Sequence, residues 1–283
     1  SGKYYGYLLI GNGGSPVYSN SAAIIGGPGA NSRWDCQNGA ITMNPRLGYS
    51  NAHHSILIDG VGSDGSAVAT NVTAVGIGGG SLIVTNKGRL HASGILTVGS
   101  SAGNLVAVTQ GGKVLAGGLT PSFISNTVSV AGAESLLELG GGNVNLMGTN
   151  NSLIVGQGGT VTNVGTFTVS TNDIIYLYGG TLTASALTML SNAQIGIDLV
   201  APNVFTVQGN AALNGFVNPT NFPKTGRKTV TILTCGGTLS GNLSLGSLPA
   251  GYSGTITTND TATPKQVNLL VVGPTSSTVL MIR

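Results

Sequence analysis

NSLIVGQGGTVTNVGTFTVST, residues 151–171, decides the fold. Leu153 and Val155 alternate with polar or small residues, Gly158-Gly159 turns the chain, and Val161 resumes the apolar face. A second short strand follows through Phe167 and Val169. Such period-2 alternation puts one face of each strand in a core and the other outside. Two strands this short, joined by Gly and Asn, cannot bury a face alone. They need a copy above and a copy below.

The chain supplies those copies. Strand cores stand at SILIDG (55–60), SLIVTNKGRL (81–90), LVAVTQGGKVL (105–115), TVSVAG (127–132), SLIVGQGGTV (152–161) and IIYLYGGTL (174–182). Second strands lie between them at ILTVG (95–99), NVNLMG (143–148), TFTVST (166–171) and ALTML (186–190). Leu82, Val106, Val128, Leu153 and Ile175 are equivalent positions, spaced by about 22–25 residues, the signature of coils stacked in parallel. Asn104, Asn126 and Asn151 each precede their anchor by two residues. Asn tolerates left-handed backbone at corners, and stacked Asn side chains hydrogen-bond along a ladder. Gly88, Gly112 and Gly159 each follow an anchor by six residues, where a corner without Cβ is expected. Helical period is absent beyond a turn or two. The expected fold is therefore all-β, a parallel β-helix (β-solenoid) rod of roughly 22–25 residues per coil with atypical terminal segments.

Composition agrees with that class. Charged residues make up 7% of the chain and Gly contributes 47 of its 283 residues, whereas average soluble domains carry about 25% charge. The net charge of +3 is small, and only Lys224, Arg227 and Lys228 cluster. A nucleic-acid partner would call for a denser basic stripe, and none is expected. No apolar run is long enough for a membrane helix, so no membrane span is expected. No charged leader with an apolar run opens the chain, so a signal peptide is expected to have been removed already.

Four segments are expected. Residues 1–55, with Pro16, Pro28, Pro45 and the sole Trp34, form an N-terminal cap or interaction segment, since end units of repeat arrays must differ from inner ones. Residues 56–200 are the solenoid repeats, 201–272 a C-terminal closing β segment, and 273–283 an appended terminal strand. Both termini are apolar strands: KYYGYLLIG near the start and STVLMIR at the end.

The stretch 80–272 resembles the autotransporter-associated β-strand repeat proteins, secreted bacterial surface proteins with parallel β-helical passengers. The resemblance is carried by ILTVGSSAGN (95–104), SLIVGQGGTV (152–161) and GGTLTASALTM (179–189). The ordered blocks FTVQGNAALNG, TVTILTCGGTLSG, LPAGYSGTIT and QVNLLVV strengthen it. It implies a secreted, extracellular or cell-surface fibrous protein. Such proteins often end in a Pro-Glu-Pro sorting signal or a membrane β-barrel; after Val272 this sequence has GPTSSTVLMIR instead, a departure from the pattern.

Chemistry is sparse. Glycoside hydrolysis needs two carboxylates about 5–10 Å apart. The eight acids (Asp35, Asp59, Asp64, Glu134, Glu138, Asp173, Asp198 and Asp260) show no pair beside a clustered base. His53 and His54 are sequence neighbours that point to opposite faces of a strand, and His91 is remote. No catalytic residue, metal site or cofactor is expected. Cys36 and Cys235 are either two buried thiols or a bridge from one subunit to the next, because a straight rod holds them too far apart for an internal disulfide. The expected role is a structural subunit of an extracellular filament, polymerising head-to-tail through terminal strand pairing. Its interface would use Tyr4, Tyr5, Tyr7, Leu8, Leu9 and Ile10 at one end and Val279, Leu280, Met281 and Ile282 at the other. The alternative is a monomeric adhesin that binds a surface polysaccharide, with Tyr18, Tyr49, Tyr176, Tyr178 and Tyr252 able to stack on sugars.

Overall fold

The computed structural model describes residues 80–274 apart from Ser93, Ser100, Ser101 and Phe123 and, before them, the backbones of seven strands. Those seven are β1 (Tyr7–Ile10), β2 (Val17–Ile25), β3 (Ser32–Gln37), β4 (Thr42–Leu47), β5 (His54–Asp59), β6 (Ser66–Val68) and β7 (Ala74–Val75). The next rung holds β8 (Ser81–Thr85), β9 (Arg89–His91) and β10 (Leu96–Val98). Above it come β11 (Leu105–Thr109), β12 (Lys113–Leu115) and β13 (Leu119–Pro121), then β14 (Thr127–Ala131), β15 (Leu136–Glu138) and β16 (Val144–Leu146). Higher rungs comprise β17 (Ser152–Gly156) with β18 (Thr160–Val169), and β19 (Ile174–Tyr178) with β20 (Thr181–Met189). Next come β21 (Ala193–Asp198), β22 (Val204–Val207) and β23 (Ala211–Thr220). The far end is built from β24 (Arg227–Cys235), β25 (Leu239–Leu245), β26 (Ser253–Asn259) and β27 (Lys265–Val272).

The fold is a parallel β-solenoid with three faces. The first face stacks β8, β11, β14, β17, β19, β21 and β23 in register. Leu82, Val106, Val128, Leu153 and Ile175 are consecutive partners in this ladder, so the sequence spacings of 24, 22, 25 and 22 are coil lengths. Each coil carries three strands, where the sequence suggests two. The long β18 and β20 each run through a corner, serving the second face first and the third face after it. The ladders also reach back into the first 75 residues: β1 pairs with β3, β3 with β5 and β5 with β8, all in parallel.

Side chains inside the tube are almost wholly apolar. In one rung Leu153, Val155, Val161, Val164, Phe167 and Val169 all point inward and are buried. Each such side chain contributes about 1.5–3 kcal/mol by leaving water. Phe167, the largest fully buried side chain among the described residues, is flanked in its column by the smaller Val144 and Leu187, which leaves it room.

The corner that enters the first face turns backbone amides toward the interior, where no strand partner meets them. The Asn residues solve this. Asn104 Oδ1 accepts from Gly80 N–H (2.9 Å), Asn126 Oδ1 from Asn104 N–H (2.9 Å), and Asn151 Oδ1 from Asn126 N–H (3.0 Å). All three Asn are buried. Their backbones are not left-handed. That conformation belongs to the residue just before: Gly103, Ser125, Asn150, Asn172 and Asn192 all have positive φ. Of the two physical reasons for Asn at these corners, the ladder therefore serves the aligned residues, and left-handed tolerance serves the position preceding them.

Gly112 and Gly159 are required for space. A Cβ at either would lie 2.3 Å from a carbonyl oxygen of an earlier coil, Val84 O or Val130 O.

At the far end the chain reverses direction. Strands β24, β27 and β26 form an antiparallel sheet. A bulge between Thr231 and Leu233 brings two consecutive side chains, Ile232 and Leu233, into the core. Val267, Leu269 and Val271 close it from the opposing strand.

Substituting Gly159→Ala should lower stability by about 1–3 kcal/mol through overpacking against backbone. Asn126→Ala should cost about 1–3 kcal/mol for each buried group it strands, beginning with the Asn104 N–H. Thermal unfolding followed by far-UV circular dichroism checks both.

Candidate functional site

The features that bear on function are the end of the stack, the charged side of the early rungs and the buried polar groups. At the far end, β25 pairs with β23 alone among the described residues, and β26 with β27 alone. Thr238 O accepts from Ala211 N–H (2.9 Å), and Gly246 N–H donates to Val217 O (2.8 Å). Parallel pairing directs alternate peptide groups to opposite sides. Leu239, Leu243 and Leu245 therefore aim their N–H and C=O away from β23, along an open strand edge. Asn242 and Ser244 on that strand are exposed and uncharged. An edge of this kind templates strand addition unless charge or Pro blunts it.

Of the interface strands named from sequence, Tyr7–Ile10 is β1, joined to β3 in parallel with Tyr7 opposite Arg33 and Ile10 opposite Cys36. Tyr4 and Tyr5 lie outside the described residues, as do Val279, Leu280, Met281 and Ile282.

Among the described residues, Asp173 and Asp198 apart, charge gathers on one side of the early rungs and at the far end. Lys87, Arg89, His91, Lys113, Glu134 and Glu138 all sit on the second face or its leading corner, in three neighbouring rungs. Lys113 stands directly beside Arg89, a like-charge pair that strand pairing disfavours. A cleft of about 220 Å³ opens where this face meets the third, lined by His91, Leu115 and Glu138 over Ala92 and Ala116. Glu138 accepts from Asn163 Nδ2 (3.2 Å). Leu115 occupies the rung between His91 and Glu138. That sets their backbones two rungs apart, about 9–10 Å. Glu134 lies in the turn before β15, with a positive φ, and Glu138 ends that strand. Among the described residues no three metal-ligating side chains converge.

The other carboxylates are built into the backbone. Asp198 Oδ1 accepts from Val200 N–H (2.7 Å) and Ala201 N–H (3.0 Å), and Oδ2 accepts from Asn221 Nδ2. Burial works to raise its pKa, but the Ala201, Val200 and Asn221 donors together hold it below the ordinary carboxylate value. Its contribution to stability is present above that ordinary value and disappears as pH falls through the depressed one.

The tyrosines turn to internal partners. The Tyr176 ring covers Gly196 and the Tyr178 ring covers Gly156; a Cβ on either glycine would meet the ring at 2.2–2.3 Å. Tyr252 packs on Phe222 with centroids 4.9 Å apart and donates to Pro223 O (2.9 Å). Side chains of Tyr18 and Tyr49 lie outside the described residues. Cys235 is a free, fully buried thiol whose Sγ donates to Gly209 O (3.0 Å). A bridge from it to another subunit would require β24 to open. The Cys36 side chain lies outside the described residues.

No protein-family model, no curated protein and no solved structure matches this chain. No helix among the described residues is long and apolar enough to cross a membrane.

Sequence reading found the register and the apolar strands. It missed the open β25 edge, because LSGNLSL gives no sign of how many neighbours it has. It also missed the covering of glycines by Tyr176 and Tyr178, whose only trace is a Gly one coil away.

Iodoacetamide should leave Cys235 unmodified in the native chain and alkylate it fully after denaturation, as read by peptide mass mapping. Labelling under native conditions would show that β24 opens readily.

Proposed function

We propose that this chain is a structural subunit of an extracellular filament or surface assembly, joined head-to-tail by strand addition at the ends of the solenoid. The observation that carries this reading is the charge-free outer edge of β25, which continues a parallel ladder and pairs with β23 alone among the described residues. An in-register stack extends by adding strands, and main-chain hydrogen bonds supply the affinity of such joints. An end-to-end contact that does not close on itself yields a fibre. The confinement of charge supports a mechanical role: residues 139–223 hold no Lys, Arg, His or Glu, and their two Asp are buried in backbone bonding. An extracellular setting fits a surface kept wet by Thr, Ser and Asn, and fits the resemblance of 80–272 to secreted β-strand repeat proteins. The mating strand is proposed to come from the apolar segments holding Tyr7–Ile10 or Val279 to Ile282. Nothing in this reading calls for catalysis or a cofactor.

Negative-stain electron microscopy and light scattering of the full chain should show end-to-end polymers that lengthen with concentration. The double variant Asn242→Lys, Ser244→Lys places charge on the edge while leaving the core untouched. It should stay folded by circular dichroism and remain monomeric. Dispersed monomers of the unaltered chain at high concentration would refute head-to-tail assembly.

A further inference from the structure

The buried ladder does not end on an asparagine. One coil above Asn151, the same position holds Asp173, fully buried, with Oδ1 accepting from Asn151 N–H (2.8 Å). Its second oxygen, Oδ2, is buried without a hydrogen-bond partner. In the coils below, the matching atom is an amide Nδ2 that donates to the carbonyl four residues earlier: Asn126 to Ser122 O and Asn151 to Met147 O (3.1 Å). The ladder therefore places a donor where an ionised carboxylate has only an acceptor.

The surroundings offer no compensating charge. No Lys, Arg or His occurs between Lys113 and Lys224. The flanking strands β17, β18 and β20 carry no ionisable side chain. On β19 the phenols of Tyr176 and Tyr178 lie outward over glycines. On β21 the one such group is Asp198, at the far end of the strand and held by its own turn. The next coil puts Ala193 at the ladder position, where there is no side-chain donor and the N–H bonds Leu190 O. An isolated buried charge is costly enough that the neutral form is normally favoured.

We infer that Asp173 stands in the asparagine ladder as an un-ionised carboxylic acid, so that this joint of the rod is firm in acid and loosens when the proton is lost. The protonated acid presents at Oδ2 the hydrogen that the asparagines present at Nδ2. Burial raises the Asp173 pKa above its ordinary value, and backbone and side-chain hydrogen bonds from Asn151 offset part of that rise. A carboxyl with a raised folded-state pKa binds its proton more tightly folded than unfolded. Its favourable contribution is complete below the unfolded value, about 3.9, and is lost as pH climbs through the folded value. The inference concerns the interior of a single rod and does not depend on end-to-end assembly.

Thermal unfolding of the unaltered chain and of Asp173→Asn, each from pH 3 to pH 8, tests it. The Asn variant restores the missing donor without a titrating group. Its Tm advantage should be least at pH 3 and grow above pH 4 to about 2–4 °C or more near neutrality. Subtracting the two curves removes the opposite pH dependence of Asp198, which both chains share. An advantage constant across the range would overturn the inference. A direct reading comes from the ¹³C shift of the Asp173 carboxyl in the unaltered chain: a titration midpoint well above 4 supports it, and one at or below 4 sinks it.

Discussion

In-register hydrogen bonding between one coil and the next is the constraint on which everything else here rests. Each strand spends its peptide groups on the coils above and below, so a residue's chemistry must suit a copy of itself about 4.8 Å away. Apolar columns such as Leu96, Leu119, Val144, Phe167 and Leu187 satisfy this trivially. Polar ones satisfy it through side chains that both give and accept. Thr162 and Thr183 share a hydrogen bond (2.9 Å) on the second face, and Ser152 donates to Thr127 (3.1 Å) on the first.

The corners are where stacking is hardest. Between the third and first faces an amide is left pointing inward, and an orphaned buried N–H costs about 1–3 kcal/mol. Three successive coils answer with Asn. The device stops at Asp173 because the corner itself changes there: Asp173 N–H donates to Ser170 O (3.1 Å) and Ala193 N–H to Leu190 O (3.1 Å), local turns that need no side chain from the next coil. Asp173 thus closes the ladder by accepting from below while its own amide is already paired.

The same stacking rule shapes the outside and the end. Glycine is demanded at Gly112 and Gly159 by a carbonyl in an earlier coil, and at Gly156 and Gly196 by a tyrosine ring laid across them. The antiparallel turn of β24, β27 and β26 halts coil stacking over part of the end; Gly254 of β26 lies against the Leu245 side chain, yet β25 has no ladder partner besides β23 among the described residues.

The amino-acid sequence alone determined the parallel solenoid, its coil lengths and its register. Apolar alternation and a recurring Asn two residues before each anchor are local signals, and identical stacking preserves them from coil to coil. Asp173 sits at that same offset before Ile175, so its place in the ladder was legible, although its identity hid it among the scattered acids. Tertiary structure alone decided the third face: Val161, Val164 and Phe167 are spaced by three and interrupt the alternation of TVTNVGTFTV, but only the two ladders that β18 joins show that the chain turns a corner there. It also decided the reversal at the far end, because the pattern of KQVNLLVV fixes which side chains are buried and carries no information on strand direction. The loneliness of Asp173 Oδ2 and the open edge of β25 belong to the same category. Both are defined by what the neighbouring coil fails to provide, and a neighbour twenty residues away in the chain becomes a neighbour in space only once the coils have closed.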